Sequence, residues 1–448
     1  MFSYKEAVDY LNSLINYEKK SHIPYNRRSF NLERMRVILS KLGNPHKSLK
    51  CIHIAGTKGK GSTAAMVTSI LSAEGYKVGL YTSPHLISPR ERVRIGSRLI
   101  SEEEFASCMS LVKSAVEELS CKGYIKPTFF EAYTSLAFAY FYQKKVDFAI
   151  VEVGLGGRLD ATNVIEPLVG IITPISLDHT NILGNDIISI AKEKAGIIKS
   201  GSKIIISPQE NSAFFVLKKI CEEKGATFYQ VGKDIKFKIL QATSRYFIFQ
   251  LQGLSSFYPS LFLPLAGEHQ LLNAATAVGA VELLKDFGFK ISKRAIERGL
   301  RRVKWPGRMQ VLKYRPTILV DCAHNGASAN YLAEFLKKFF LKKRKNLILI
   351  LAILKNKDVE GIAKPLCPLA SKIIITRANS PRALPQEEIL SKIKVYCPSK
   401  PMIEENINLA LKRARQIARK KDVICITGSI YIVGEVFNLP EYKRKIFL

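Results

Sequence analysis

Ile52-His53-Ile54-Ala55-Gly56-Thr57-Lys58-Gly59-Lys60-Gly61-Ser62 is the stretch whose reading decides the fold. Its first four residues extend a short apolar run from Cys51, the pattern of a buried strand. The glycines and lysines that follow lead directly into a helical pattern over residues 62–74. A strand, a glycine-rich turn and a helix N-terminus together cradle an anion, because glycine lets backbone N–H groups turn inward and the helix end adds positive dipole. Lys60 is placed to reach the β- and γ-phosphates of a nucleotide. The spelling departs from the general phosphate loop, which has four residues between its glycines and Ser or Thr directly after Lys. Here two residues separate Gly56 from Gly59, and Gly61 stands between Lys60 and Ser62. A plain glycine turn is the competing reading, disfavoured by the strand and helix on either side.

Outward from this segment, short apolar runs alternate with helical patterns. Residues 51–55, 78–81, 148–153, 168–173 and 203–207 read as strands, with helices at 62–74, 102–119 and 130–143. Such alternation predicts an α/β protein with a mainly parallel sheet covered on both faces. Residues 235–267 break the rhythm with polar–apolar alternation about turns, predicting a small antiparallel flap. Helices at 269–287 and 292–300 lead to Trp305-Pro306-Gly307-Arg308, where Pro-Gly stops the helix and turns the chain. The boundary is drawn there: residues 1–302 form a phosphate-loop NTPase-like domain, and residues 303–448 a smaller, Rossmann-like α/β domain.

Composition narrows the class. With 47% hydrophobic and 24% charged residues the 448-residue chain has ample apolar surface for a folded core, and its 27 Gly and 19 Pro follow no period. No run of about 18 uncharged apolar residues is present, and Lys5, Glu6 and Asp9 interrupt the N-terminus where a signal peptide needs an apolar run. The expectation is a cytoplasmic protein without a membrane partner. Sixty-nine Lys and Arg against 38 Asp and Glu leave a net charge of +31, a field that attracts polyanions. The basic residues are spread along the chain, however. The densest run, Lys342-Lys343-Arg344-Lys345, is expected between a helix and a strand, and no zinc finger, basic zipper or aromatic RNA-binding signature accompanies it. A lysine-rich surface without a nucleic-acid role is the expectation. The eight cysteines are irregularly spaced without a Cys-x-x-Cys pair, and read as small buried hydrophobes.

Further segments carry chemistry. Residues 148–163 close a buried strand on Glu152 and continue into a glycine-rich loop; such an acid holds Mg²⁺ in phosphate-loop enzymes, although an acid closing a strand is commonplace. His179 in Leu177-Asp178-His179-Thr180 is a lone histidine, more often structural than a ligand. The Lys–Glu alternation around Lys194 usually marks a solvated helix face. Ser83, His269, Asn273, Arg308, Asp321 and His324 lie in other short segments, each weak alone. Gly56, Ser83, Glu152 and Asp321 nevertheless all fall at or just after strand ends, where a doubly wound sheet keeps its site.

In this order, GTKGKGS (56–62), TSPHL (82–86), EVGLGGRLDATN (152–163), DHT (178–180), EKAGI (193–197), HQLLNA (269–274), WPGRM (305–309) and DCAHN (321–325) resemble one family. It is the folylpolyglutamate synthase and dihydrofolate synthase family, a branch of the Mur-ligase-type amide synthetases. The resemblance runs from Asn31-Leu32-Glu33-Arg34 to Thr427-Gly428-Ser429. It implies that ATP phosphorylates a carboxylate of a pteroate or folate, and that the amine of L-glutamate attacks the acyl phosphate. By the same resemblance Gly59, Lys60, Gly61, Ser62, Asn273, Arg308 and Asp321 contact ATP, nucleotide binding drawing the two domains together. Ser83 and Glu152 correspond to ligands of one Mg²⁺, and His179 to a ligand of a second. Lys194 corresponds to a lysine carried as N6-carboxylysine. An ammonium about 4 Å from a cation is repelled by roughly 4 kcal/mol per unit charge at an effective dielectric near 20, and a carbamate reverses the sign. Lys60, Lys194 and His179 form the implied catalytic set.

On the acceptor side Thr128, Phe130 and Glu131, with Arg158, Leu159, Asp160 and Ala161, correspond to pteroate-binding segments, while Phe129 and Phe130 equally suit a core. His324 and Ser429 are implied glutamate contacts. Lys58 stands where many bacterial members carry Asn, and both spellings occur. The form RLDATN resembles members that accept dihydropteroate, implying a bifunctional enzyme; a monomer acting on small molecules is the separate expectation. A cell-wall Mur ligase, which shares the loop and the lysine, is the alternative; its usual further N-terminal domain has no room ahead of so early a phosphate loop. A nucleic-acid-dependent ATPase has only the charge to recommend it.

Overall fold

A computed structural model describes residues 2–19, 29–121, 126–341 and 346–443, so the run Lys342-Lys343-Arg344-Lys345 lies outside the described residues. The chain divides into two compact units. The first comprises Met1–Leu240, Phe249–Leu263 and Leu271–Val303; the second takes Gln241–Ile248, Pro264–Gln270 and Lys304–Leu448. Two short excursions thus group with the second unit, which no cut in sequence order could express.

The first unit is built on strands β1 (Cys51–Ala55), β2 (Val78–Tyr81), β3 (Val93–Ile95), β4 (Arg98–Leu99), β5 (Phe148–Glu152), β6 (Pro167–Ile172), β7 (Lys203–Ile206) and β8 (Thr227–Gln230). They pair in the order β4-β3-β2-β5-β1-β6-β7-β8. From β2 to β8 neighbours run parallel, and β3 and β4 form an antiparallel edge. Every residue of β1, β2 and β5 is buried, as strands covered on both faces require. The edges β3, β4 and β8 escape a periodicity reading because they are short and half polar.

Helix Phe129–Gln143 is buried on nearly all sides, the expected fate of a helix apolar all round. Its start is fixed by a capping box: Glu131 N–H donates to Thr128 Oγ1 at 3.2 Å and Thr128 N–H to Glu131 Oε2 at 2.8 Å. Arg34 completes the arrangement, giving Nε to Oε2 at 2.8 Å and a terminal amino group to Oε1 at 2.7 Å. Removing one partner of a buried pair strands the other charge. Arg34→Ala is therefore expected to lower unfolding free energy by about 3–5 kcal/mol; a denaturant titration showing less than about 1 kcal/mol would contradict this.

The flap is a sheet of β9 (Lys236–Ala242), β10 (Phe247–Gln252) and β11 (Phe257–Leu263), in the order β11-β10-β9. Its connections close with bonds from Thr243 N–H to Tyr246 O and from Gly253 N–H to Ser256 O, far too tight for parallel crossovers. Buried Glu282 anchors the second turn, accepting from Leu254 N–H, Ser255 N–H and, at 2.8 Å, Tyr258 Oη.

The second unit carries β12 (Gln310–Lys313), β13 (Thr317–Val320), β14 (Leu347–Leu351), β15 (Lys372–Ile375), β16 (Met402–Ile403) and β17 (Val423–Thr427). The order is β12-β13-β17-β14-β15-β16, parallel throughout except for β12. This is the Rossmann-like α/β arrangement. Among the described residues no helix is long and apolar enough to cross a membrane. All eight cysteines are free; Cys121 is exposed and Cys397 partly so, departing from the expectation of burial that the other six meet.

Candidate active site

In the first unit the adjacent parallel strands β2, β5, β1 and β6 deliver their C-terminal ends side by side. Ser83 follows β2, Glu152 closes β5, Gly56 follows β1, and Leu177-Asp178-His179 follows β6. Segments far apart in sequence thus meet along one sheet edge, the usual place for a ligand in such sheets.

The glycine loop enters helix Lys60–Glu74 through Gly59 at φ +85°. A side chain there would be strained and would also collide with Asn273, so the Asn273 amide lies directly against the loop. Gly59 offers no capping side chain, leaving the positive helix end to an outside anion. Ser62 is buried in the first turn. Thr57 fixes the loop's entry: its N–H and that of Lys58 donate to Pro174 O, and its hydroxyl exchanges bonds of 3.1 Å with the Ser176 backbone.

Two lysines converge on one carbonyl. Lys60 Nζ lies 3.1 Å and Lys194 Nζ 2.9 Å from Gly56 O. Lys194 is 5% exposed, so the solvated helix face that its sequence context favours is not where the structure puts it. Burial, followed by repulsion from the Lys60 ammonium, pushes its pKa down to about 7. Nearby, Ser83 N–H donates to Glu152 Oε2 at 3.2 Å, placing the serine beside a buried carboxylate. His179 sits at φ +52° ahead of the short helix Thr180–Leu183, its ring exposed and Nε2 4.0 Å from Asp178 Oδ1.

The segments expected on the acceptor side differ in their surroundings. Phe130 is half-buried, lies against Gly154 so closely that any side chain there would collide, and tilts toward Tyr81 at 6.0 Å. Phe129 belongs to the core. Thr128 and Glu131 serve the helix start described above. Leu159 and Ala161 are buried. Asp160 is buried too and closes its own loop: Oδ2 accepts from Leu155 N–H at 2.8 Å, and Oδ1 from Thr162 N–H at 3.0 Å and Thr162 Oγ1 at 2.5 Å. Burial pushes its pKa up against those hydrogen bonds.

Arg158 forks onto Glu193, its Nε 3.1 Å and a terminal amino group 2.8 Å from Oε1, and its N–H donates to Glu193 O at 2.8 Å. Asn163 Nδ2 bonds both Arg158 O at 3.1 Å and Gly196 O at 3.0 Å. Gly157 abuts the Glu193 and Lys194 backbone, and Gly196 abuts Arg158, each too closely for a side chain. RLDATN and EKAGI are therefore interlocked. Sequence reasoning missed Glu193 and Asn163, although both lie inside the quoted motifs. It also missed buried Arg92, which donates to His85 Nδ1 at 3.0 Å, forks onto Glu18 at 2.7 and 2.6 Å, and lies 5.3 Å from the Phe129 and Tyr133 ring centres.

In the second unit Asp321 directly follows β13. Its carboxylate takes Met309 N–H at 2.9 Å and Ala323 N–H at 2.8 Å; burial raises its pKa while the Arg308 charge opposes the rise. His324 Nδ1 lies 2.9 Å from Cys322 O, and since a carbonyl only accepts, Nδ1 carries the proton. Ser429 is fully buried and caps helix Ile430–Asn438 through Ile432 N–H.

Known proteins are similar to this chain in sequence and fold. A family model described as the Mur ligase middle domain matches residues 54–281, and one described as the Mur ligase, glutamate ligase domain matches residues 307–430. The chain is 35% identical over 407 residues to the dihydrofolate synthase/folylpolyglutamate synthase of Bacillus subtilis, covering 90% of this chain and 94% of that one. Mycobacterium tuberculosis folylpolyglutamate synthase complexed with ADP superposes with a TM-score of 0.88 at 33% identity, covering 99% and 98% of the two chains. E. coli FolC in complex with DHPP and ADP gives 0.85 at 30% identity, covering 99% and 98%. The chain belongs to the dihydrofolate synthase/folylpolyglutamate synthase family of Mur-type ligases.

Proposed function

We propose that this chain joins L-glutamate to the carboxylate of dihydropteroate and to the tails of folates, using ATP. The carrying observation is the convergence of Lys60 and Lys194 on Gly56 O at the phosphate-loop mouth, beside the Ser83–Glu152 pair. A carboxylate is a poor electrophile, because it would have to expel oxide. In the proposed sequence its oxygen attacks the γ-phosphorus of ATP and ADP departs. The glutamate amine then attacks the acyl phosphate, and phosphate leaves as the amide forms. The glycine-loop N–H groups and Lys60 would hold the polyphosphate, with Asn273 as a further nucleotide contact.

Mg²⁺ fits the donors at the strand ends. Ser83 and Glu152 supply hard oxygens, and among the described residues no group of three His, Cys, Asp or Glu gathers. That suits an ion that takes one or two protein oxygens and leaves the rest of its shell to water and phosphate. When bound it would offset the negative charge that builds as one anion approaches another. For a second ion beside His179, Lys194 fits only as its carbamate. A buried lysine with a pKa near 7 supports that state: its neutral amine adds to CO₂, and one proton is released. Phe130 and the interlocked loop 154–163 would shape the pterin site, with Asp160 as a clasp of that loop. His324 and Ser429 would contact glutamate, Ser429 through the hydroxyl proton that its capping bond from Ile432 N–H leaves unused.

Product analysis with ATP, glutamate and either dihydropteroate or tetrahydrofolate tests the reading. Dihydrofolate is expected from the first and longer glutamate tails from the second, each matched by ADP. ADP release that neither acid stimulates would refute it.

A further inference from the structure

We propose that His53 is a positioning residue for the acceptor acid, acting through the buried chain His53–Thr162–Asp160. The inference rests on the reading that loop 154–161 helps to hold that acid.

His53 stands in the middle of β1, fully buried, between Ile52 and Ile54 and three residues ahead of Gly56. Its Nε2 lies 2.8 Å from Thr162 Oγ1. The Thr162 hydroxyl gives its one proton to Asp160 Oδ1, so toward His53 it can only accept. The imidazole must therefore carry its proton on Nε2. Its Nδ1 then presents a lone pair, and that atom is buried with no hydrogen-bond partner among the described residues. Burial, with the Lys199 charge adding to it, pushes the ring's pKa down to about 3, so the donor stays neutral at every working pH.

A buried polar atom left unsatisfied weakens a fold, and each such atom calls for an explanation. Leucine would occupy this apolar strand position without that penalty. What the imidazole supplies instead is direction. By donating to Thr162 it turns the hydroxyl proton onto Asp160, whose two oxygens then close residues 155–162 into a fixed loop. Without His53, the hydroxyl loses the donor that polarises it and fixes its direction, so the bond it gives Asp160, which orients the glycine loop, is held less firmly. The same strand launches the phosphate loop, but its contacts to Gly56, Pro174 and Ser176 do not pass through the imidazole. Acceptor binding should therefore suffer while nucleotide binding does not.

The test is steady-state kinetics on His53→Leu and His53→Gln with ATP, glutamate and dihydropteroate, beside thermal melts. His53→Leu should melt no lower than the wild type, raise KM for dihydropteroate roughly tenfold, the worth of about one hydrogen bond, and leave KM for ATP unchanged. His53→Gln, whose amide can donate to the same hydroxyl, should recover most of the loss. Thr162→Val breaks the chain at its next link and should raise the same KM, which keeps the proposal testable if His53→Leu does not fold. An unchanged KM for dihydropteroate, or a lowered melting point with both KM values raised together, overturns the proposal and leaves His53 a strand residue. Asp160→Ala separates the underlying reading: if it leaves that KM unchanged, the loop does not hold the acid, whatever His53 does.

Discussion

Lys194→Ala should lower kcat by on the order of 10²–10³-fold, with part of the rate returning when acetate is added. The size follows from what is lost, a preorganised charge in a buried site where electrostatic effects are least screened. Lys194 is packed where an ammonium is disfavoured, shut away from water and sharing a carbonyl with Lys60. Below pH of about 7 it is protonated and inert toward CO₂; above that it is a free amine able to capture it. Wild-type activity should accordingly rise as pH climbs through about 7, and should fall in CO₂-depleted buffer. Acetate offers a carboxylate of similar shape to the cavity left by alanine. Rate measurements across pH, with and without bicarbonate, check this. An alanine variant with the wild-type kcat, or a wild-type rate indifferent to CO₂ at every pH, would mean that Lys194 remains an ordinary amine.

Lys60→Ala should reduce kcat/KM for ATP by about 10³-fold, since phosphoryl transfer depends almost wholly on positioning and charge. A second consequence comes from the shared carbonyl. Lys60 is the largest electrostatic influence holding the Lys194 pKa down, after burial. Its removal should let that pKa drift upward, moving the rising limb of the pH profile to more alkaline values. Measuring kcat across pH for the variant reads both effects together. A full rate refutes the phosphate-loop role of Lys60; a lowered rate with an unmoved limb refutes only its coupling to Lys194.

The glycine loop was legible in sequence because its physics is local. Gly56, Gly59 and Lys60 are neighbours along the chain, and their spacing alone places them on a turn between strand and helix. Strand ends carrying Ser83 and Glu152 were readable as such, and the parallel order of the sheet explains why they meet. The segments expected to hold the acceptor were far less readable. Thr128 and Glu131 look like ligands in a motif, yet their hydrogen bonds go to a helix start and to Arg34, almost 100 positions away. Glu193 resembles half of a solvated Lys–Glu pattern until the fold brings Arg158 to it. His53 reads as a chance polar residue in an apolar strand, because its partner Thr162 is 109 residues distant. Side-chain chemistry that depends on long-range packing leaves no periodic trace.

The interlock of Gly157 against the Glu193–Lys194 backbone, and of Gly196 against Arg158, constrains how such ligases can be recombined. A chimera that grafts only the 154–163 segment from a relative of different acceptor preference would press a foreign contour against the helix that carries Lys194. Exchanging 154–163 together with 193–199 transplants a matched lock and key, so specificity in this scaffold should be inherited as a cassette of two pieces rather than as a single loop.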